Sequence, residues 1–241
     1  MLFRSLIKPF AIPANWPRII GYDLPHQYGT GTTGAFAAVW IAFNPLTGDR
    51  ENPETMDKHI YRAAKVFGGS RADCVAACLG PGRHGDQIPG AFPHDGGIKQ
   101  QVSEDNAVAQ KQREIFEDMG LNVIPESSAF LTDDDKKTAD PILAVDLIHG
   151  EMIEKKLFIH DPKEGAPTGD LTGEMDSFHM KGRKIPPGQN NHCCDSLNKG
   201  FMMARFAEPL QDAGFSNEDE AAAYSRESFD PMTEISRWGQ N

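Results

Sequence analysis

The run Ala35-Phe36-Ala37-Ala38-Val39-Trp40-Ile41-Ala42-Phe43 constrains this chain most. Side chains of a strand alternate between faces, and here both alternating sets are apolar. A strand of this kind needs cover above and below, so it belongs inside a sheet rather than at a solvated surface. Its aromatic and branched residues suit a strand. It falls well short of the roughly 18 apolar residues that a membrane span requires. A loop of His, Gln, Tyr, Gly and Thr (26–34) precedes it, and the turn Asn44-Pro45-Leu46-Thr47-Gly48-Asp49 follows.

Around this run the sequence alternates strands and helices. Arg18-Ile19-Ile20-Gly21-Tyr22-Asp23-Leu24 reads as a strand stopped by Pro25, and a weaker strand covers 58–67. Ser70 begins a helix that Gly80-Pro81-Gly82 ends. Ile88 to Gly97 reads as a short strand running into a glycine loop. For the next helix Ser103 is the expected cap, Val102 and Ala107 the hydrophobic staple, and Gly120 the left-handed stop. Asn122-Val123-Ile124-Pro125 reads as a strand. Asp140-Pro141 opens a helix with Ile142, Val145, Ile148 and Met152 on one face. Leu157-Phe158-Ile159-His160 is a last short strand. Residues 162–191 are polar and rich in Gly and Pro, and Asn191 can cap a helix with Leu197, Phe201 and Ala204 inside.

This order predicts an α/β fold, a mixed central sheet with helices on both faces. The expected organisation is a lead-in segment (1–17), one domain (18–208) and an acidic tail (209–241). A chain of 241 residues can bury one such core. Its net charge of −11 argues against holding nucleic acid by bulk electrostatics, so any DNA contact must come from a local basic patch or bound metal. Mean hydropathy is −0.48, and no membrane partner is expected. Pro9 and Pro13 interrupt the N-terminal segment, so no export signal is expected, and hence no disulfides. Cys74, Cys78, Cys193 and Cys194, with His192, could be zinc ligands. Their spacing fits small buried apolar residues better.

Three acids stand out by position: Asp23 ends the first strand, Asp95 ends the strand before the glycine loop, and Asp195 sits in the first turn of the last helix. In open α/β sheets functional groups gather outside strand ends. Three carboxylates meeting there would repel, and hard divalent cations, Mg2+ or Mn2+, relieve that repulsion. Two such ions can activate water and stabilise the leaving oxygen in phosphodiester hydrolysis. Taken singly, each acid also fits an ordinary turn or helix-start role.

Taken together, the order of several short motifs resembles the nuclease domain of phage terminase large subunits. They are Trp16-Pro17-Arg18, Gly21-Tyr22-Asp23, Ala37-Ala38-Val39-Trp40, Phe92-Pro93-His94-Asp95-Gly96, Gly120-Leu121-Asn122, Pro125-Glu126 and Asp195 to Ala207. The resemblance covers about 11–208. It implies an RNase H-like fold in which Asp23, Asp95 and Asp195 bind two Mg2+ or Mn2+ ions and catalyse cleavage of concatemeric double-stranded viral DNA during packaging. It also implies a terminase ATPase component, a small terminase subunit and a portal as partners, and work in the host cytoplasm at the procapsid packaging motor. The chain departs from the family in carrying Leu24-Pro25 after the first acid and Cys194 beside the last. It contains no G-x-x-x-x-G-K-[ST], so the expectation is a nuclease module without the ATPase half, from an isolated module or a split gene.

Other readings weighed are a catalytically weak docking module of the motor and another RNase H-like nuclease such as a resolvase. His94-Asp95 and His160-Asp161 also suggest an HD-type phosphohydrolase, but Pro93 and Pro162 oppose the helices that class needs. His94 could assist at the metals or be a surface group. Lys181, Arg183 and Lys184 are the expected DNA-binding residues, on a basic hairpin leading toward Asp195.

Overall fold

The computed structural model describes residues 5–25, 28, 34–80, 82–93, 99–103, 106–131, 137–138, 140–181, 184–186 and 189–210. Its elements are β1 (Leu6–Ile7), β2 (Arg18–Asp23), β3 (Ala35–Asn44), β4 (Asp57–Phe67), α1 (Arg71–Cys78), β5 (Gly90–Ala91), β6 (Lys99–Ser103), β7 (Asn106–Lys111), α2 (Gln112–Asp118), β8 (Phe130–Leu131), β9 (Lys137–Thr138), α3 (Pro141–Ile153), β10 (Leu157–His160), α4 (Gly169–Ser177) and α5 (His192–Met202).

Six strands form the main sheet in the order β1-β10-β4-β3-β2-β5. β3 pairs antiparallel with both β2 and β4, while every other neighbouring pair is parallel. Five strands therefore share one direction and β3 alone opposes it. A parallel bridge from Gly90 to Val123 continues the sheet beyond β5. This is a mixed, RNase H-like α/β sheet, with two cores on its opposite faces. On one face Ile19, Ala37, Val39 and Ile41 pack with α3, α4 and α5; on the other Ile20, Tyr22, Phe36, Ala38 and Trp40 pack with α1 and α2. Each residue from Ala35 to Phe43 is at most 1% exposed, as the unbroken apolar run requires. A fully buried side chain of this size contributes about 1.5–3 kcal/mol.

Local signals account for several ends. Ser70 caps α1 in a reciprocal capping box with Asp73. Asp140 caps α3 by accepting from Ile142 N–H. Gly120 takes φ +99°, and Leu121 N–H reaches Phe116 O while Gly120 N–H reaches Glu117 O, a Schellman stop for α2.

Elsewhere the fold corrects the sequence. The helix expected from Ser103 begins only at Gln112; β6 and β7 occupy its first half as an antiparallel hairpin, with Gln100 opposite Gln110. Short windows such as Val102–Ala109 satisfy both periods, and backbone pairing decides between them. Asn122–Pro125 makes a single bridge rather than a strand. The stretch 162–191, polar and rich in Gly and Pro, holds a helix that the sequence did not mark, α4, where Gly169 and Gly173 weaken the helical signal while Leu171 is fully buried. The lead-in also takes part in the fold: β1 is an edge strand, Trp16 is buried, and Arg18 donates to the carbonyls of Ile12 and Pro13. Of the expected acidic tail, residues 211–241 lie outside the described residues.

The contact that positions α5 is made by two glycines. A Cβ on Gly21 would lie 1.8 Å from Ser196 O and 2.7 Å from Gly200 N, and one on Gly200 would lie 2.6 Å from Ile41 Cδ1. The helix thus rests on the backbone of β2. Gly21→Ala should cost at least about 3 kcal/mol or prevent folding, because backbone rather than a movable side chain fills the space. Gly150→Ala, in open space within α3, should stabilise by about 0.5–1 kcal/mol. Urea denaturation of the two variants checks this contrast; a mild Gly21→Ala would mean that α5 does not sit this close to β2.

Candidate active site

Asp23 is the last residue of β2, and it shares a face with Ile19 and Gly21, the face on which α5 lies. Ser196 O meets Gly21, so the turn before it, His192 to Asp195, reaches the end of β2 where Asp23 stands. Nδ1 of His192 donates to Oδ2 of Asp23 over 2.9 Å, with the two side chains 28% and 19% exposed. Asn191, one turn before Asp195, donates from Nδ2 to Asp195 Oδ2 over 3.0 Å. Two of the three expected acids therefore occupy one sheet end, although 23 and 195 lie far apart in sequence.

The electrostatics follow from this proximity. Burial pushes the Asp195 carboxyl up to about 6, and the charge of Asp23 adds to that; Lys199 and His192 partly oppose it. The hydrogen bond to Asp23 holds the His192 imidazolium above its ordinary value against the effect of burial. The site thus holds two carboxylates short of positive charge, with one histidine partly compensating them.

Asp95 and His94 lie outside the described residues. The chain approaches them through Phe92 and Pro93 from the end of β5, which runs parallel to β2 and so finishes at the same sheet end as Asp23. Lys181 and Lys184 are exposed and joined by a backbone bond from Lys181 N–H to Lys184 O, as a tight reversal requires; Arg183 lies outside the described residues. The cysteine pairs sit on opposite faces of the sheet, Cys74 and Cys78 under α1 and Cys193 in the α5 core, so one zinc ion cannot take both. Burial pushes the thiols of Cys74 and Cys78 up to about 12.

Sequence reasoning missed four contributors. Asn191 and His192 had a usable signal, since they precede Asp195 by four and three residues, helical spacings that place side chains together. Glu174 and Lys65 had none. Glu174 Oε2 accepts from the N–H groups of Cys193 (2.6 Å) and Cys194 (3.1 Å), capping α5 where the Asn191 side chain does not. Lys65 forms an ion pair with Glu174.

Hard oxygen donors of like charge, held together at a partly solvated strand end, suit a divalent cation. Among the described residues no group of three His, Cys, Asp or Glu forms a ready metal cage. Asp23 and Asp195 are two such donors, brought to one sheet end.

The sequence matches no family model and no curated protein. The fold matches the solved structure of the P22 large terminase nuclease domain, with TM-score 0.64 over 88% of this chain and 93% of that one, at 16% identity. The RNase H-like fold expected from the resemblance is the fold of this chain. Among the described residues no helix is long and apolar enough to cross a membrane.

The carboxylate pair gives a signed pH dependence. The Asp195 pKa is raised by folding, so its contribution is fully present below about pH 4 and lost as pH rises through about 6. The His192 pKa is also raised, so its contribution is present below about 6.5 and lost above its folded value. His59 and His160, which burial pushes down to about 4, contribute the opposite slope, stability gained as pH rises from about 4 to 6.5. The Asp195 contribution is therefore read in EDTA as the difference between wild type and variant. Relative to wild type, Asp195→Asn should gain stability progressively as pH rises from about 4 to 6 and be more stable at pH 7 by roughly 1–2 kcal/mol, a figure discounted for partial solvation. Urea titrations across pH measure it, and a variant curve parallel to wild type would refute the coupling.

Proposed function

We propose that this chain is a metal-dependent endonuclease that cuts concatemeric double-stranded DNA, a nuclease module of a viral packaging motor. The observation that carries the proposal is the meeting of Asp23 and Asp195, the latter's carboxyl raised to about 6, at one end of an RNase H-like sheet. The likeness to the P22 nuclease domain supports the same reading.

Asp23 and Asp195 would hold the cations, with Asp95 as the third ligand. Two Mg2+ or Mn2+ ions would supply activation of water for attack on phosphorus and stabilisation of the leaving 3′ oxygen. The residues of the chain itself prepare that chemistry. Asn191 fixes one oxygen of Asp195, and the other would ligate. His192 donates to Asp23 and orients its carboxylate. Packing against Gly21 keeps the two acids from drifting apart under their mutual repulsion. Lys181, Arg183 and Lys184 would meet backbone phosphates on a chain whose net charge of −11 otherwise repels DNA. In this reading the partners are double-stranded DNA, an ATPase component, a small terminase subunit and the portal, and the place of action is the procapsid motor in the host cytoplasm.

Plasmid cleavage should require Mn2+ or Mg2+ and stop in EDTA. Asp23→Ala, Asp95→Ala and Asp195→Ala should each lower the rate by at least about 100-fold, a loss of at least ~2.7 kcal/mol of transition-state stabilisation. Cleavage that persists in all three variants, or in EDTA, would end the proposal.

The basic turn makes a separate prediction. Joint replacement of Lys181, Arg183 and Lys184 by Ala should slow cleavage at moderate salt and lower the slope of log affinity against log salt by roughly 0.9 per lost phosphate contact, while Mn2+ binding stays intact. Affinity equal to wild type across a salt titration would place the DNA track elsewhere.

A further inference from the structure

Behind the acid pair lies an ion pair that the proposed chemistry does not use. Lys65 stands opposite Ala37 in the sheet, and Ala37 stands opposite Asp23, so Lys65 and Asp23 occupy one row on the α5 face. The Lys65 ammonium bonds to Glu174 Oε1 and Asn190 Oδ1, and the Lys65 and Glu174 side chains are only 4% and 3% exposed. The other oxygen of Glu174 accepts from the free N–H groups of Cys193 and Cys194 in the first turn of α5. One carboxylate is thus shared between a strand cation and a helix N-terminus. The residues flanking these two amides are His192, bonded to Asp23, and Asp195, bonded to Asn191.

We infer that Lys65 and Glu174 are positioning residues, a buried clamp that sets the first turn of α5 and thereby the separation of Asp23 and Asp195 for cation binding. The inference rests on the metal-dependent reading above and adds to it a supporting layer on α4 and β4. Removing partners that orient metal ligands commonly weakens metal affinity by about 10–100-fold. A buried carboxylate could instead serve general stability alone. The chain carries a matched control: Lys58 and Glu151 form a second buried ion pair at 2.7 Å, with side chains 3% and 13% exposed. Lys58 lies near the start of β4, at the sheet end opposite Lys65.

The test compares wild type, Glu174→Gln, Lys65→Met and Glu151→Gln, all as the full chain. Calorimetric titration with Mn2+ reports affinity, amide hydrogen exchange reports the Cys193 and Cys194 N–H groups, and urea denaturation reports stability. Glu174→Gln and Lys65→Met should bind Mn2+ at least about tenfold more weakly and exchange both amides at least about tenfold faster. Glu151→Gln should lose comparable stability and change neither. Variants at Glu174 and Lys65 with wild-type affinity and wild-type exchange would overturn the inference, and so would a Glu151→Gln that weakens Mn2+ binding equally. If wild type itself binds no Mn2+, the metal-dependent reading fails; the exchange comparison then decides the clamp separately, with unchanged amide exchange in Glu174→Gln overturning it.

Discussion

The close approach of α5 to β2 is the constraint on which the rest of the site depends. With hydrogen at Gly21, a helix backbone lies directly on a strand backbone, at a distance that a side chain there does not permit. A helix held so near has little freedom to slide, so the residues at its start stay at the end of the strand. That single contact converts a distant pair in sequence, Asp23 and Asp195, into neighbours. The apolar stripe of α5, Leu197 and Phe201, then seals the same face.

Against this packing works electrostatic repulsion. The core brings together two carboxylates, and part of the cost appears in the raised Asp195 pKa. Lys199 and His192 offset some of it, and a buried lysine, Lys65, stands two strands from Asp23 in the same row, paired with Glu174. Packing, not charge, therefore brings the two acids together, and it leaves their charge under-compensated. In the proposed function, a chain of net charge −11 would draw DNA through bound metal and a few lysines and arginines rather than through its bulk charge.

Much of the fold was legible locally. The strands 18–23, 35–44 and 57–67, the capped helix after Ser70, the Asp140-Pro141 start and the Gly120 stop all carry signals within a few residues of themselves. The misreadings share a cause. Val102 to Ala109 suits a helix or a hairpin equally, and only pairing across the hairpin separates them. The glycines of α4 hide a helix whose formation depends on burying Leu171 against the sheet. Asn191 occupies the cap position of α5, as its type suggested, but its side chain turns to Asp195 because Glu174 already serves the helix amides.

What the sequence determined alone was the class of fold and the positions of two acids that the fold then brings to one sheet end. An apolar run with no polar face can be satisfied only inside a covered sheet, and a carboxylate at the end of such a strand or at the start of a helix is locally marked. What only the tertiary structure decided was which groups support those acids. Lys65, Glu174 and His192 sit 109 and 18 residues apart, counting 174 minus 65 and 192 minus 174. Nothing in their local sequence links them, because an ion pair and a helix cap depend on distance in space. That distance is set when β4, α4 and α5 pack onto one face of the sheet.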